Sequence, residues 1–466
     1  MAQQLNVLLF FTDDQRFDAL AAAGNDEIHT PNLDALAERG TRFAQAHIPG
    51  GTSPAVCMPS RAMLHTGRTL FHIQGEGQSI PKEHPTLGEC LKQAGYETFG
   101  TGKWHNGRDA FARSFTDGDE IFFGGMGDHW NVPAYRFDPA GGYDERCPIV
   151  HSPHNSNTVE YRQCDHITAG QHSTELFVDA TSDFLQRRDT SKPFFAYVSL
   201  MAPHDPRTMP EKFRKMYDPA SIELPANFMG EHPIDTGALA IRDEMLAAFP
   251  RDPEEVRRHI AEYYAMISHL DDAFGRLIDS LKEEGVFENT IIVFAGDNGL
   301  AVGQHGLLGK QNLYDHSVRV PLIMAGPGVS QGVQSKALVY LLDIYPTLCD
   351  LLGIDTPDSV EGKSLVPYFS EANASCRDTL YLAYGSTIRG VRKENMKLIE
   401  YVAGRCRTTQ LFDVENDPHE MHNLAHEPAM AELREKLTDE LFRLRDEWDD
   451  CQHSTGEAFW KRYALL

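Results

Sequence analysis

Short unbroken apolar runs that stop abruptly at polar residues set the pattern of this chain. Val7-Leu8-Leu9-Phe10-Phe11 ends at Thr12-Asp13-Asp14, Phe194 to Leu200 ends at Met201-Ala202-Pro203-His204, and Thr290 to Ala295 runs into Gly296-Asp297-Asn298-Gly299. Consecutive apolar positions of this length predict strands buried on both faces of a mainly parallel sheet. Val320 to Gly326 predicts a further strand, and Gly95 to Gly100 leads into Thr101-Gly102-Lys103-Trp104-His105. Helical patterns lie between the runs. Thr30 to Gly40 has a cap residue, proline in the first turn, apolar residues at helical spacing and a closing glycine. Pro85 to Ala94 repeats that design. Ile260, Tyr264, Ile267, Asp271, Phe274, Ile278 and Leu281 fall near one face of a long amphipathic helix.

Strands alternating with helices predict an α/β fold, a large mainly parallel mixed sheet flanked by helices. Polar groups follow the strand ends at Asp13-Asp14, Lys103 to His105, His204 and Asp297-Asn298, and ligands bind at that edge of an open α/β sheet. From about 106 to 172 the pattern dissolves into Gly, Pro, His and aromatic residues, an irregular stretch of the kind that is functional or disordered. After about 370 shorter segments (379–384, 388–392, 397–402) precede Leu411-Phe412-Asp413 and a helix from about 428 to 448. They predict a smaller C-terminal subdomain, an antiparallel sheet with a packing helix. The expected division is 1–370 and 371–466.

With 466 residues, 41% hydrophobic and 24% charged, the chain is long enough for one large and one small core. Its formal charge of −25 argues against nucleic acid or an anionic membrane as partner. Any anionic substrate must therefore meet a local cluster of cations. Eight scattered cysteines form no CxxC pair, and all but Cys57 read as buried or incidental thiols. The start, Met1 to Asn6, lacks the basic, small-residue pattern of a signal peptide, and no stretch is long enough to span a membrane. A cytoplasmic location is expected, although a periplasmic or secreted chain trimmed of its leader would read the same.

The stretch from Ser53 to Arg68 places Cys57 four residues before Arg61, with Pro59-Ser60 between them and Thr66-Gly67-Arg68 at its exit. An anion-handling loop entering a helix N-terminus has this form. Cysteine-dependent phosphatases space their Cys and Arg further apart, so that match fails. The stretch resembles the signature of the formylglycine-dependent sulfatases, Cys-x-Pro-Ser-Arg followed by Thr-Gly-Arg. The likeness continues at Asp13-Asp14, Thr30 to Asp34, Gly102-Lys103-Trp104-His105, Pro203-His204, Asp297-Asn298-Gly299, His305-Gly306 with Lys310, and Leu411 to Leu424. Each motif is weak alone; in this order they are specific.

The resemblance implies an alkaline phosphatase-like fold and hydrolysis of a sulfate monoester, by S–O cleavage through a covalent sulfo-enzyme. Cys57 would be converted to formylglycine by a formylglycine-generating enzyme, and its hydrate would be the nucleophile. Asp13, Asp14, Asp297 and Asn298, with residue 57, would hold a divalent metal; all-oxygen side chains suit Ca²⁺ or Mg²⁺. Arg61 would orient the hydrate, and Lys103 and Lys310 would contact sulfate oxygens. His105 would deprotonate the hydrate, and His204 with Lys310 would protonate the leaving alcohol. His305 and Arg68 are read as structural. Three aspartates against three cations and a divalent metal leave the pocket positive, as a small anionic sulfate ester requires. Met58, Asn106 and Gly296 depart from the commoner family residues, and the polar Asn106 is expected to face substrate. His129 and Trp130, within 127–131, are expected in a leaving-group subsite for a sugar hydroxyl. Two other readings compete: a phosphonate monoester or phosphodiester hydrolase with the same nucleophile and metal, and a non-catalytic anion-binding protein whose Cys57 stays a thiol.

Overall fold

A computed structural model describes residues 4–150, 154, 156–370 and 375–466. The expected start at 1–3, part of the irregular stretch (151–153 and 155), and the expected opening of the C-terminal unit at 371–374 lie outside the described residues. The larger half runs through β1 (Asn6–Thr12), α1 (Pro31–Arg39), β2 (Gly40–Phe43), β3 (Gly50–Gly51), α2 (Cys57–Thr66) and α3 (Leu87–Gln93). It continues through β4 (Glu97–Lys103), α4 (Arg108–Ser114), β5 (Asp117–Phe122), α5 (Ser173–Arg187) and β6 (Phe194–Ser199). Then come α6 (Pro253–Glu283), β7 (Thr290–Gly296), β8 (Leu322–Ala325), β9 (Val333–Ser335) and α7 (Ile344–Leu352).

Eight strands form one sheet in the order β9-β2-β8-β7-β1-β6-β4-β5. The five from β7 to β5 are parallel neighbours, while β8 runs antiparallel to both β7 and β2. The unbroken apolar runs are explained by what covers each face. Val7, Leu9 and Phe11 enter one core, shared with Leu64 of α2, Leu91 of α3 and Leu348 of α7. Leu8 and Phe10 enter the other, shared with Leu33 of α1, Phe177 of α5 and Ile267 of α6. Both faces are dry, so Val7 to Phe11 is apolar without a break, and the polar Asn6 and Thr12 stand only at the two ends of β1.

A second sheet holds β10 (Thr379–Tyr384), β11 (Ile388–Lys393), β12 (Met396–Ala403) and β13 (Cys406–Asp413) as an antiparallel meander. β3 pairs in parallel with β10 at its edge, so the segment just before Cys57 belongs to this sheet. α8 (Ala431–Glu447) and α9 (Ser454–Tyr463) pack over it, and Ala62 and Met63 of α2 join the same core. α2 is thus clamped between the two sheets, and all ten of its residues are buried.

The stretch from 106 to 172 is less irregular than its composition predicts. It contains α4, the edge strand β5 and a small hairpin of Arg146–Ile149 with Glu160–Gln163. β5 escapes the apolar-run pattern because an edge strand pairs on one side only, and its Asp117, Asp119 and Glu120 are half exposed. The helix α9 has no counterpart in the sequence reading.

Candidate active site

Four parallel strands deliver their C-terminal ends to one edge. Asp13 and Asp14 follow β1, Lys103 ends β4, His204 lies past β6, and Asp297 and Asn298 follow β7. Cys57 opens α2 directly above them. Two non-glycine residues here adopt left-handed backbone, Asp14 at φ 64° and His105 at φ 72°. Such turns cost roughly 1–3 kcal/mol and reverse the chain sharply enough to aim both side chains inward. Gly102 lies at φ 80°, and a Cβ there would sit 1.8 Å from the Ser199 carbonyl oxygen. Only glycine lets β4 approach β6 closely enough to carry Lys103 into the site.

Arg61 is fully buried and organises the floor. Its Nε and one terminal nitrogen each lie 2.9 Å from Asp297 Oδ2, and its other terminal nitrogen donates to Ser199 Oγ (2.5 Å) and the Lys103 carbonyl (3.0 Å). Asp297 Oδ1 accepts from the Asp14 backbone N–H at 3.0 Å. Asp14 Oδ1 accepts from Asn298 Nδ2 at 2.7 Å and Lys310 Nζ at 2.6 Å, and Lys103 Nζ pairs with Asp13 Oδ2. The Cys57 sulfur stands 3.5 Å from both Lys103 Nζ and His105 Nδ1. His204 directs Nε2 to Asp14 Oδ2 at 3.6 Å, while its Nδ1 lies 2.8 Å from the Asp205 carbonyl oxygen.

The electrostatics follow from this packing. Burial opposes charge on Lys103 and Lys310, yet Asp13 and Asp14 outweigh it and hold both above the ordinary lysine range. Burial likewise opposes charge on Asp13, but Lys103, His204 and Arg61 keep it well below the usual carboxylate range. Burial and the Asp13 carboxylate push Asp297 up to about 7. Burial raises the Cys57 thiol, against the pull of Lys103 and Lys310. His105 is held down to about 2, by burial first and by Lys103 and Arg61 next, so its ring is neutral.

The oxygen donors of Asp13, Asp14, Asp297 and Asn298 fit a hard divalent cation, and the Cys57 sulfur marks where the side chain of residue 57 would join them. Ligand atoms of Asp13, Cys57 and Asp297 lie within 4.8 Å of one another, as do those of Asp13, Asp14 and His204. Asp13 Oδ1 and Asn298 Oδ1 are buried without a hydrogen-bond partner, the state in which an acceptor is costly unless a cation meets it.

Cys57, His105, His204 and Lys310 line a cavity of about 230 Å³, with Met126, Ile241 and Arg242 among its walls. A larger cavity of about 650 Å³ shares His105 and Met126 with it and is walled by Phe122, Phe123, Tyr135, Arg108 and Arg162. The structure corrects three expectations. Asn106 is fully buried and donates to the Met58 and Gly77 carbonyls at 2.9 and 2.6 Å, so it braces the loop beneath Cys57 and does not face substrate. His129 is fully buried, between Ser173 Oγ and the His204 carbonyl. Trp130 packs edge-on against His172, 5.1 Å between centroids, and lines neither cavity. Spacing along the chain places residues near a site; it does not say which way a side chain points. Arg68 donates to the carbonyls of His72 and Ser359, and His305 stacks on Tyr314 at 4.1 Å. Sequence reasoning missed Ser199, which holds Arg61, and Asp205 with Arg242 beside His204. Only Asp205 carried a signal, its position next to His204.

Residues 5–354 match the family model described as Sulfatase. The chain belongs to the sulfatase family. Residues 303–447 also match the model for the C-terminal region of N-sulphoglucosamine sulphohydrolase. An N-acetylglucosamine-6-O-sulfatase of Bacteroides thetaiotaomicron is 25% identical over 96% of this chain and 87% of its own length. An arylsulfatase of Clostridium perfringens is 30% identical over 94% of each. A solved structure in complex with its substrate, D-glucosamine-2-N,6-O-disulfate, superposes with a TM-score of 0.76 at 23% identity, over 98% of this chain and all of that one. This sulfatase is a hydrolase of sulfuric esters with the alkaline phosphatase-like fold. Among the described residues no helix is long and apolar enough to cross a membrane.

Proposed function

We propose that this sulfatase removes sulfate from a sulfated sugar, with Cys57 carried as formylglycine and a Ca²⁺ or Mg²⁺ ion held by Asp13, Asp14, Asp297, Asn298 and residue 57. A formylglycine-generating enzyme would install the aldehyde on this chain. The hydrate supplies a nucleophilic hydroxyl and the metal draws charge from sulfate oxygens. Lys103 and Lys310 contact the remaining sulfate oxygens, and Arg61 keeps Asp297 and residue 57 in register. His105, neutral and 3.5 Å from the residue 57 side chain, accepts the proton released when sulfate leaves. His204, with Lys310 beside it, hands a proton to the leaving alcohol.

The observation that carries the reading is the convergence of Cys57, His105, His204 and Lys310 on one small cavity above the buried aspartates. The sugar assignment draws on the relative that acts on N-acetylglucosamine-6-sulfate and on the aromatic walls of the adjoining cavity, which suit a ring. Turnover of a sulfated monosaccharide panel, an aryl sulfate and an aryl phosphonate by the metal-loaded protein tests it. Release of sulfate from a saccharide, with aryl sulfate cleaved faster than aryl phosphonate, is expected. Faster cleavage of the phosphonate would favour the phosphonate reading, and no activity on any saccharide would remove the sugar.

A further inference from the structure

Three charged residues that the chemistry at Cys57 does not use line the larger cavity, Arg108, Asp128 and Arg162. Arg162 lies on the strand Glu160–Gln163, opposite Cys147 of Arg146–Ile149. Tyr161 beside it is 65% exposed, and strand alternation turns Arg162 the other way, into the wall of the cavity. Arg108 lines the same space, but its fork is already taken: one nitrogen donates to the Tyr143 carbonyl at 2.7 Å and the other to Gln163 Oε1 at 2.5 Å. Asp128, the one carboxylate among the lining residues, accepts from the Trp130 N–H at 2.9 Å and from Asn131 Nδ2 at 2.7 Å. Arg162 has neither a hydrogen-bond acceptor nor an ion-pair partner among the described residues. The chain has 68 acidic residues against 43 basic ones, so a half-buried guanidinium left without a carboxylate is not a consequence of composition.

His105 and Met126 wall both cavities, so the two are neighbours and a sugar whose sulfate sits at residue 57 would extend towards this space. We infer that Arg162 reads a second anionic group, a sulfate or a carboxylate, on the sugar being desulfated, so that the preferred substrates are doubly anionic. The inference rests on the proposed sulfatase chemistry for its placement of the first sulfate. A planar guanidinium offers two parallel N–H donors to either group, and Phe122, Phe123 and Tyr135 give the ring between the two anions an apolar wall. Arg162 is here a specificity-determining residue, because it lines the neighbouring cavity and not the one that holds Cys57.

The test is calorimetric binding to the metal-loaded full chain carrying Cys57→Ala, so that nothing turns over. The probes are monosulfated glucosamine, disulfated glucosamine and a monosulfated uronic acid. Either doubly anionic sugar is expected to bind about tenfold more tightly than monosulfated glucosamine, the usual worth of one charge-assisted contact. The comparison between the two shows whether the second group is sulfate or carboxylate. Adding Arg162→Ala should erase the preference, and Arg162→Lys should restore part of it, because lysine keeps the charge and loses the fork. With Cys57 intact, kcat/KM of Arg162→Ala on a small aryl sulfate should stay within about twofold of the parent protein. No preference for the second anion, or equal losses on singly and doubly anionic sugars, would overturn the inference. A preference that depends on Arg162 in a protein without sulfate-releasing activity would refute the proposed chemistry and sustain the anion subsite.

Discussion

His129 Nε2 lies 3.0 Å from the backbone carbonyl oxygen of His204. The contact requires a proton on Nε2, which leaves Nδ1 to accept from Ser173 Oγ at 2.7 Å. Burial holds the ring down to about 4, so it stays neutral through the working pH range. His129 therefore fixes the backbone of a histidine proposed to protonate the leaving group, although it touches no substrate itself.

His129→Ala should lower kcat roughly tenfold, as expected for one lost buried hydrogen bond that shifts a reacting group. The loss should be the same on an aryl sulfate and on a sulfated sugar, with KM little changed. A loss confined to the sugar would mean that His129 contacts the leaving group after all.

Asp297→Ala takes from the buried Arg61 its 2.9 Å carboxylate partner, leaving Asp13 at 3.7 Å, and removes the acceptor of the Asp14 N–H. A fully orphaned buried charge costs about 3–5 kcal/mol and Asp13 offsets part of that, so the variant should melt a few degrees lower as well as lose metal. Elemental analysis after dialysis, paired with a thermal melt, checks both. Full metal content would remove Asp297 from the ligand set.

How far the sequence went depended on what each side chain does. Continuous runs such as Val7 to Phe11 were legible because both faces of the strand are covered, and chain order after each strand was enough to bring Asp13, Lys103, His204 and Asp297 to one edge. Asn106 and His129 were misplaced because each stands beside a reacting residue in sequence yet turns its polar atoms to backbone carbonyls. Arg162 was invisible because a hairpin between two irregular segments carries it, and its lack of a partner is a fact of three dimensions.

His72 bridges the two halves, with Nδ1 2.5 Å from Glu361 and Nε2 3.0 Å from Asp449. Burial opposes charge on Glu361, but His72 and the Thr69 donors hold it down to about 2; hydrogen bonds to Glu361 raise His72, against burial. The depressed carboxylate adds stability above about pH 4.5 that is lost as pH falls towards 2. The raised imidazole adds stability that is complete below its ordinary value of about 6.5 and is lost as pH rises through its folded value. Both contributions are whole only between about pH 4.5 and 6.5. The Tm deficit of Glu361→Gln should be largest in that window and shrink on either side, and a deficit independent of pH would show that the bridge does not titrate with folding.

The central claim is that residue 57 acts as formylglycine. Trypsin releases it in the peptide from Phe43 to Arg61. The mass of that peptide, taken from protein of measured sulfate-releasing activity, tests the claim most directly. The expected spectrum shows the aldehyde or its hydrate, with a fraction that rises and falls with kcat across preparations. A peptide carrying only the unmodified thiol, from protein that turns over at full rate, would contradict it.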